Sequence, residues 1–149
     1  MIKKSNYSGS MIELPEELRI LKRFHGHLGP YVVVGYKMGR IGRQKVNGKI
    51  SAVVHTGTKR PLSCIIDGIQ FSSSCTLGKG NILVVDDRKA RATFTGSGMA
   101  IDIVLRDEVK NLIESTMSPD TEEEIAVDLF YKDDNELFIV REIEPTRSE

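Results

Sequence analysis

Two stretches, Phe24-His25-Gly26-His27 and residues 64–79, hold most of the side chains that could do chemistry. A single glycine separates His25 from His27. A continuous helix would splay the two imidazoles by about 200°, whereas a loop pivoting on Gly26 can turn both toward one point. Cys64 and Cys75 are the chain's two cysteines. Two imidazoles and two thiolates make the donor set that zinc takes in tetrahedral sites, so His25, His27, Cys64 and Cys75 are the candidate metal ligands. The interval between the cysteines is wider than the close pairs of a structural zinc finger. The same side chains also suit an ordinary interior of buried thiols and hydrogen-bonded histidines.

Cys64 has a second candidate role. Pro61 places it in the first turn of its helix, where free N–H groups and the macrodipole lower a thiol's pKa. It is therefore a candidate nucleophile, with His25, His27 or His55 as its base. Asp67, three residues on, shares its helical face and opposes a thiolate unless it orients a histidine or binds a cation. Metal binding ranks above nucleophilic catalysis for that reason.

Gly78-Lys79 invites comparison with a phosphate loop, but Ser73 stands where GxxxxGK[ST] needs its first glycine and Gly80 where it needs Ser or Thr. No nucleotide is expected. Lys79, in a glycine-flanked turn, remains a candidate with Asp67 for contacting a small ligand, its ammonium and neighbouring N–H groups suiting an anion. Gly96-Ser97-Gly98, read as a helix entry, is a weaker anion candidate, and His55 is read as structural.

These side chains need elements to hold them. Leu14, Leu18 and Leu21, with Pro15, predict a short helix reaching Phe24 and ending before the histidines. Gly29-Pro30 opens a second, in which Gly35, Gly39 and Gly42 form a stripe read as internal packing in preference to a dimer contact. A β-rich run ends at Gly57, and Pro61 opens a helix carrying Leu62, Ile65, Ile66 and Ile69. Residues 81–85 and 91–95 read as strands. Gly96-Ser97-Gly98 is expected to lead into a helix with Ile101, Val104, Leu105, Val109, Leu112 and Ile113 on one face. Residues 124–131 and 136–143 read as a closing hairpin. Strands that do not alternate with helices argue against a doubly wound sheet. The expected fold is α+β, a mixed sheet packed with helices in one domain over residues 14–145, with a flexible start (1–13) and a disordered tail (146–149).

Composition bounds the partners. Of 149 residues, 21 are Lys or Arg and 21 Asp or Glu, so no net field attracts nucleic acid. The longest apolar run, residues 31–36, is far short of a membrane span, and the amino terminus lacks the apolar core of a secretory signal. We expect a cytoplasmic protein with reduced thiols.

FHGHLGPYVVVGYKMG followed by GTKRPLSCIIDGIQFSSSCTLGKGN resembles the FmdE family, whose namesake is an accessory component of formylmethanofuran dehydrogenase. HGH-x-x-P, C-x-x-D-x-x-Q and C-T-x-G-K-G-N occur in that family's order. The resemblance covers residues 24–83 and implies an α+β core, a homodimer, and a divalent metal, zinc among them, held by the histidine and cysteine segments. On that reading His25, His27, Cys64 and Cys75 are the matching ligand positions, with Asp67 and Lys79 beside them. It implies a cysteine in many relatives where this chain has Gly29. Some relatives also carry a C-terminal zinc finger with paired cysteines, and the core domain alone is expected here. Two cysteines cannot supply a four-thiolate iron–sulfur cluster. The chain is thus expected to be a metal-binding domain, a non-catalytic assembly component of a larger redox complex, or an enzyme using Cys64.

Overall fold

The computed structural model describes residues 13–145. The expected flexible start, all but residue 13, and the expected tail at 146–149 lie outside the described residues.

The first helix, α1 (Glu16–His25), starts after Pro15 with two glutamates in its first turn and buries Leu18 and Leu21. It runs one residue further than expected, so His25 is its last residue. Gly26 then turns left-handed at φ +96° and donates its N–H to the Lys22 carbonyl, a conformation that favours glycine. After three further residues α2 (Pro30–Lys45) begins, with proline at its first position and residues 30–39 all buried. The chain continues through β1 (Ser51–Val54) to α3 (Cys64–Ser73).

Helices α2 and α3 meet backbone to backbone. A Cβ at Gly35 would collide with the Ile65 carbonyl, and one at Gly68 with the Val32 carbonyl and the Tyr36 amide. Gly39 faces Ser72, while Gly42 lies under the Phe94 ring. The glycine stripe is therefore used inside the molecule.

Strands β2 (Ile82–Val84), β3 (Arg91–Gly96), β4 (Met99–Leu105) and, at the end of the chain, β5 (Phe138–Ile143) complete a five-stranded sheet in the order β2-β1-β3-β4-β5. β1 pairs with β2 in parallel, and every other pairing is antiparallel. Ala52 opposes Phe94, which opposes Ile101, and Ala92 opposes Ile103. All five are buried. Helices α4 (Asp107–Thr116), α5 (Glu122–Tyr131) and the single turn α6 (Asp134–Leu137) fill the interval before β5. This is an α+β fold with one mixed sheet packed with helices, as expected.

Two expected elements are different. Gly96-Ser97-Gly98 does not enter a helix but turns the β3–β4 hairpin, with Gly98 at φ +68° and Gly96 opposite Met99. Ile101, Ile103 and Leu105 alternate inward with the period of a strand, and the helical reading passes over Ile103. No helix end remains there to hold an anion. Residues 124–131 form most of α5, whose first turn, Glu122, Glu123 and Glu124, suits a positive helix N-terminus. The final strand, β5, pairs with β4 instead.

Buried Lys37 fastens α5 to α2. Its Nζ donates to the carbonyls of Leu129 and Phe130 at 3.1 Å each and to that of Lys132, satisfying carbonyls that a helix end leaves open.

Candidate metal centre

The site forms where the end of α1 meets the start of α3. The Phe24 and Phe71 rings, 5.2 Å apart between centroids, hold the two helices together beside it. His25 Nε2 donates to Asp67 Oδ2 at 2.9 Å, and its Nδ1 lies 3.3 Å from the His27 carbonyl oxygen. Cys64 is the first residue of α3 and Asp67 follows one turn later, so both project from one face. One donor atom from each of His25, Cys64 and Asp67 lies within 4.8 Å of the others. Tetrahedral ligands on one ion sit roughly 3.5 Å apart, which small side-chain rotations reach.

Burial pushes the Cys64 thiol above its ordinary pKa, and the charges of Asp67 and Glu122 push the same way against Arg60. Burial and these two carboxylates act against the lowering of the pKa that a place in the first turn of a helix was expected to bring.

His27 stands at the rim. Its ring centroid is 4.7 Å from that of His25, and its Nε2 is 3.8 Å from Glu122 Oε1 at the start of α5. Above the three donors opens a cleft of about 430 Å³ whose lining includes His25, His27, Arg60, Ser63, Cys64 and Asp67. Behind them lies a cavity of about 20 Å³, bordered by His25, His27, Gly29, Cys64 and Glu122 among others. It has room for one water.

The remaining candidates lie elsewhere. Cys75 is fully buried, its thiol 3.6 Å from the Ile50 carbonyl oxygen. A helix rises 1.5 Å per residue, so the ten residues of α3 carry the chain about 15 Å from Cys64 before Cys75 is reached. The structure does not bring Cys75 to the other three donors. Lys79 also belongs to that far end, where it lines a groove with Arg43 and Lys49. His55 pairs with Asp87 at 2.7 Å.

Arg60 and Glu122 are the site residues that sequence reasoning missed. Glu122 precedes a segment that reads as a strand, and Arg60 carried only the signal of standing next to Pro61. A Cβ built on Gly29 would lie 3.2 Å from Glu122 Oε1 and 3.6 Å from His27 Nε2. A side chain at Gly29 would point at these two groups, and the Glu122 carboxylate occupies its path.

A family model described as "FmdE, Molybdenum formylmethanofuran dehydrogenase operon" matches residues 24–144. The chain belongs to the FmdE family. The span takes in the whole site, from His25 to Glu122. A tungsten formylmethanofuran dehydrogenase FmdE-like protein from Syntrophus aciditrophicus shares the fold, with a TM-score of 0.65 at 17% identity over 88% of this chain and 72% of that one. A probable S-adenosyl-L-methionine-binding protein of Archaeoglobus fulgidus is 31% identical over 78 residues, covering 49% of this chain and 21% of that protein. This FmdE chain thus spans about a fifth of that relative's length. No helix among the described residues is long and apolar enough to cross a membrane.

Proposed function

We propose that this FmdE domain holds one divalent metal, zinc foremost, between His25, Cys64 and Asp67, at the floor of a cleft that admits a small molecule. The supporting observation is the convergence of an imidazole, a thiol and a carboxylate from two separate helices to within 4.8 Å. That mixed donor set suits zinc and its neighbours nickel and iron more than calcium or magnesium. Three protein ligands leave coordination open toward the cleft, as in catalytic rather than structural sites. When bound, such an ion supplies Lewis-acid polarisation. The protein's own groups orient it: the helix start presents Cys64 and Asp67, and the end of α1 presents His25. His27, paired with Glu122, borders the position, and Cys75 stays outside this proposal. A cytoplasmic setting would keep Cys64 reduced.

Metal analysis of untagged protein tests the reading. The expected result is about one equivalent of metal, retained in Cys75→Ser and lost in Cys64→Ser and His25→Ala. Less than about 0.2 equivalents in the unmodified chain would overturn it.

The family description, which names the formylmethanofuran dehydrogenase operon, favours a second reading, that of an accessory component of a redox complex. Capture of the native protein from cells should then recover a redox partner at constant stoichiometry. Migration as a homodimer without partner, the other assembly the resemblance implies, would remove that reading.

A further inference from the structure

One wall of the cleft carries polar groups that a metal at His25, Cys64 and Asp67 does not use. Ser63 stands at the N-cap of α3 and is only 8% exposed. Its backbone is helical, at φ −67° and ψ −10°, and the N–H groups of Ile65 and Ile66 already donate to the Leu62 and Ser63 carbonyls, so the hydroxyl makes no cap bond. Among the described residues the Ser63 hydroxyl has no hydrogen-bond partner, and it lines the cleft. A buried hydroxyl left without a partner is costly, and its presence calls for an explanation.

Arg60 lines the same cleft, and its charge reaches the Cys64 sulfur. Among the described residues no carboxylate lies within 4.0 Å of the Arg60 guanidinium. Asp67, the acid in the cleft wall, is engaged by His25. The result is an exposed forked cation and a buried, unused hydroxyl that both line a cleft of about 430 Å³, the size of a small-molecule site.

We propose that Arg60 and Ser63 form a subsite for the carboxylate of a small organic acid whose other end reaches the metal position. The proposal rests on the metal-binding reading for that second anchor. A guanidinium offers two parallel N–H groups to the two oxygens of a carboxylate, and the Ser63 hydroxyl adds a third donor to one of them. A phosphate dianion would bring another oxygen and another charge. Apart from the metal position, the cleft lining offers it no Lys or Arg besides Arg60, and Asp67 and Glu122 stand nearby.

Cobalt(II)-loaded full-length protein titrated with acetate, acetamide and inorganic phosphate tests this, read by the visible bands of the ion and by the amide shift of Ser63. Acetate is expected to bind saturably, acetamide not at all, and phosphate more weakly than acetate. Arg60→Met should weaken acetate by about tenfold or more, and Arg60→Lys should restore only part, since an ammonium lacks the fork. Ser63→Ala should weaken it several-fold without lowering the thermal midpoint, because no hydrogen bond within the protein is removed and an unpartnered buried hydroxyl is relieved. Cobalt stoichiometry should stay constant in all three variants. Equal binding of acetamide, tighter binding of phosphate, or an unaffected Arg60→Met protein would each overturn the subsite. Cobalt retained without any acetate response overturns the subsite alone, whereas failure to retain cobalt overturns the metal reading with it.

Discussion

The imidazole of His25, last residue of α1, donates through Nε2 to Asp67 Oδ2 at 2.9 Å, and so ties the end of one helix to the first turn of another beside Cys64. The His25 side chain is 9% exposed, which leaves it few alternative rotamers. Most of the ordering of these donors is therefore complete before any ion arrives, which reduces the entropy that binding must overcome.

Replacing that carboxylate should cost metal affinity whether Asp67 ligates the ion or only orients His25. Asp67→Asn keeps an acceptor for the imidazole but removes the negative charge, and affinity is expected to fall about 10- to 100-fold. Competition with a chromophoric chelator measures it. An affinity unchanged in Asp67→Asn would remove Asp67 from the site.

The half of the site on α3 was legible because two residues three apart on one helix must share a face, whatever packs on it. The approach of His25 was not, since it depends on a tertiary contact between Phe24 and Phe71. Cys75 was grouped with the ligands by chemistry alone, although the helix read from Pro61, with Leu62, Ile65, Ile66 and Ile69 at helical spacing, already separated it from Cys64 by its rise. In the fold, the buried face of β4 was missed because Ile101, Val104 and Leu105 fit a helical spacing by chance, while Ile103 carries the strand period. α5 was missed because Ile125, Val127 and Leu129 alternate like a strand. The acidic first turn before them favours the helix, and Lys37, far away in sequence, satisfies its last carbonyls.

Lys37→Met should destabilise the fold by about 2–4 kcal/mol, because it leaves buried carbonyls at the end of α5 without a donor. Burial holds the Lys37 ammonium below its ordinary pKa, only partly offset by the Asp134 charge. Over the interval between its folded and unfolded values the unfolded chain binds the proton more readily, so this group makes stability rise with pH there. Below the folded value both states are protonated and its contribution is constant. Urea unfolding of wild type and Lys37→Met from neutral to alkaline pH isolates the effect. A difference between the two that does not grow with pH across that interval would contradict it.

Tyr36 has the opposite sign. Its hydroxyl donates to Glu17 Oε2 at 2.5 Å, and burial, with that bond and charge added, raises its pKa from 10.0 to about 12. In the folded state the phenol keeps its proton where the unfolded chain has lost it. The contribution is complete below about pH 10 and lost as pH rises toward about 12. Tyr36→Phe should therefore flatten the alkaline decline in stability. Denaturant midpoints measured over that range, with tyrosinate absorbance as the direct check, decide it: an equal decline in both proteins would show that Tyr36 does not carry it.

Gly29→Cys should convert the site into a stronger thiolate centre. The position is extended at φ −131°, which any residue adopts, so the backbone offers no resistance. Its new Cβ would approach Glu122 Oε1 at 3.2 Å and His27 Nε2 at 3.6 Å, so the Glu122 carboxylate must withdraw for the sulfur to turn toward Cys64. The second thiolate favours softer ions, and zinc affinity is expected to rise by about tenfold or more. Cobalt-loaded protein should show a stronger sulfur-to-metal charge-transfer band, and Glu122→Ala added to Gly29→Cys should raise the affinity again by relieving the contact. An unchanged band with unchanged affinity in both variants would mean that Gly29 does not face the bound ion and that the donors assemble on the cleft side of Cys64 alone.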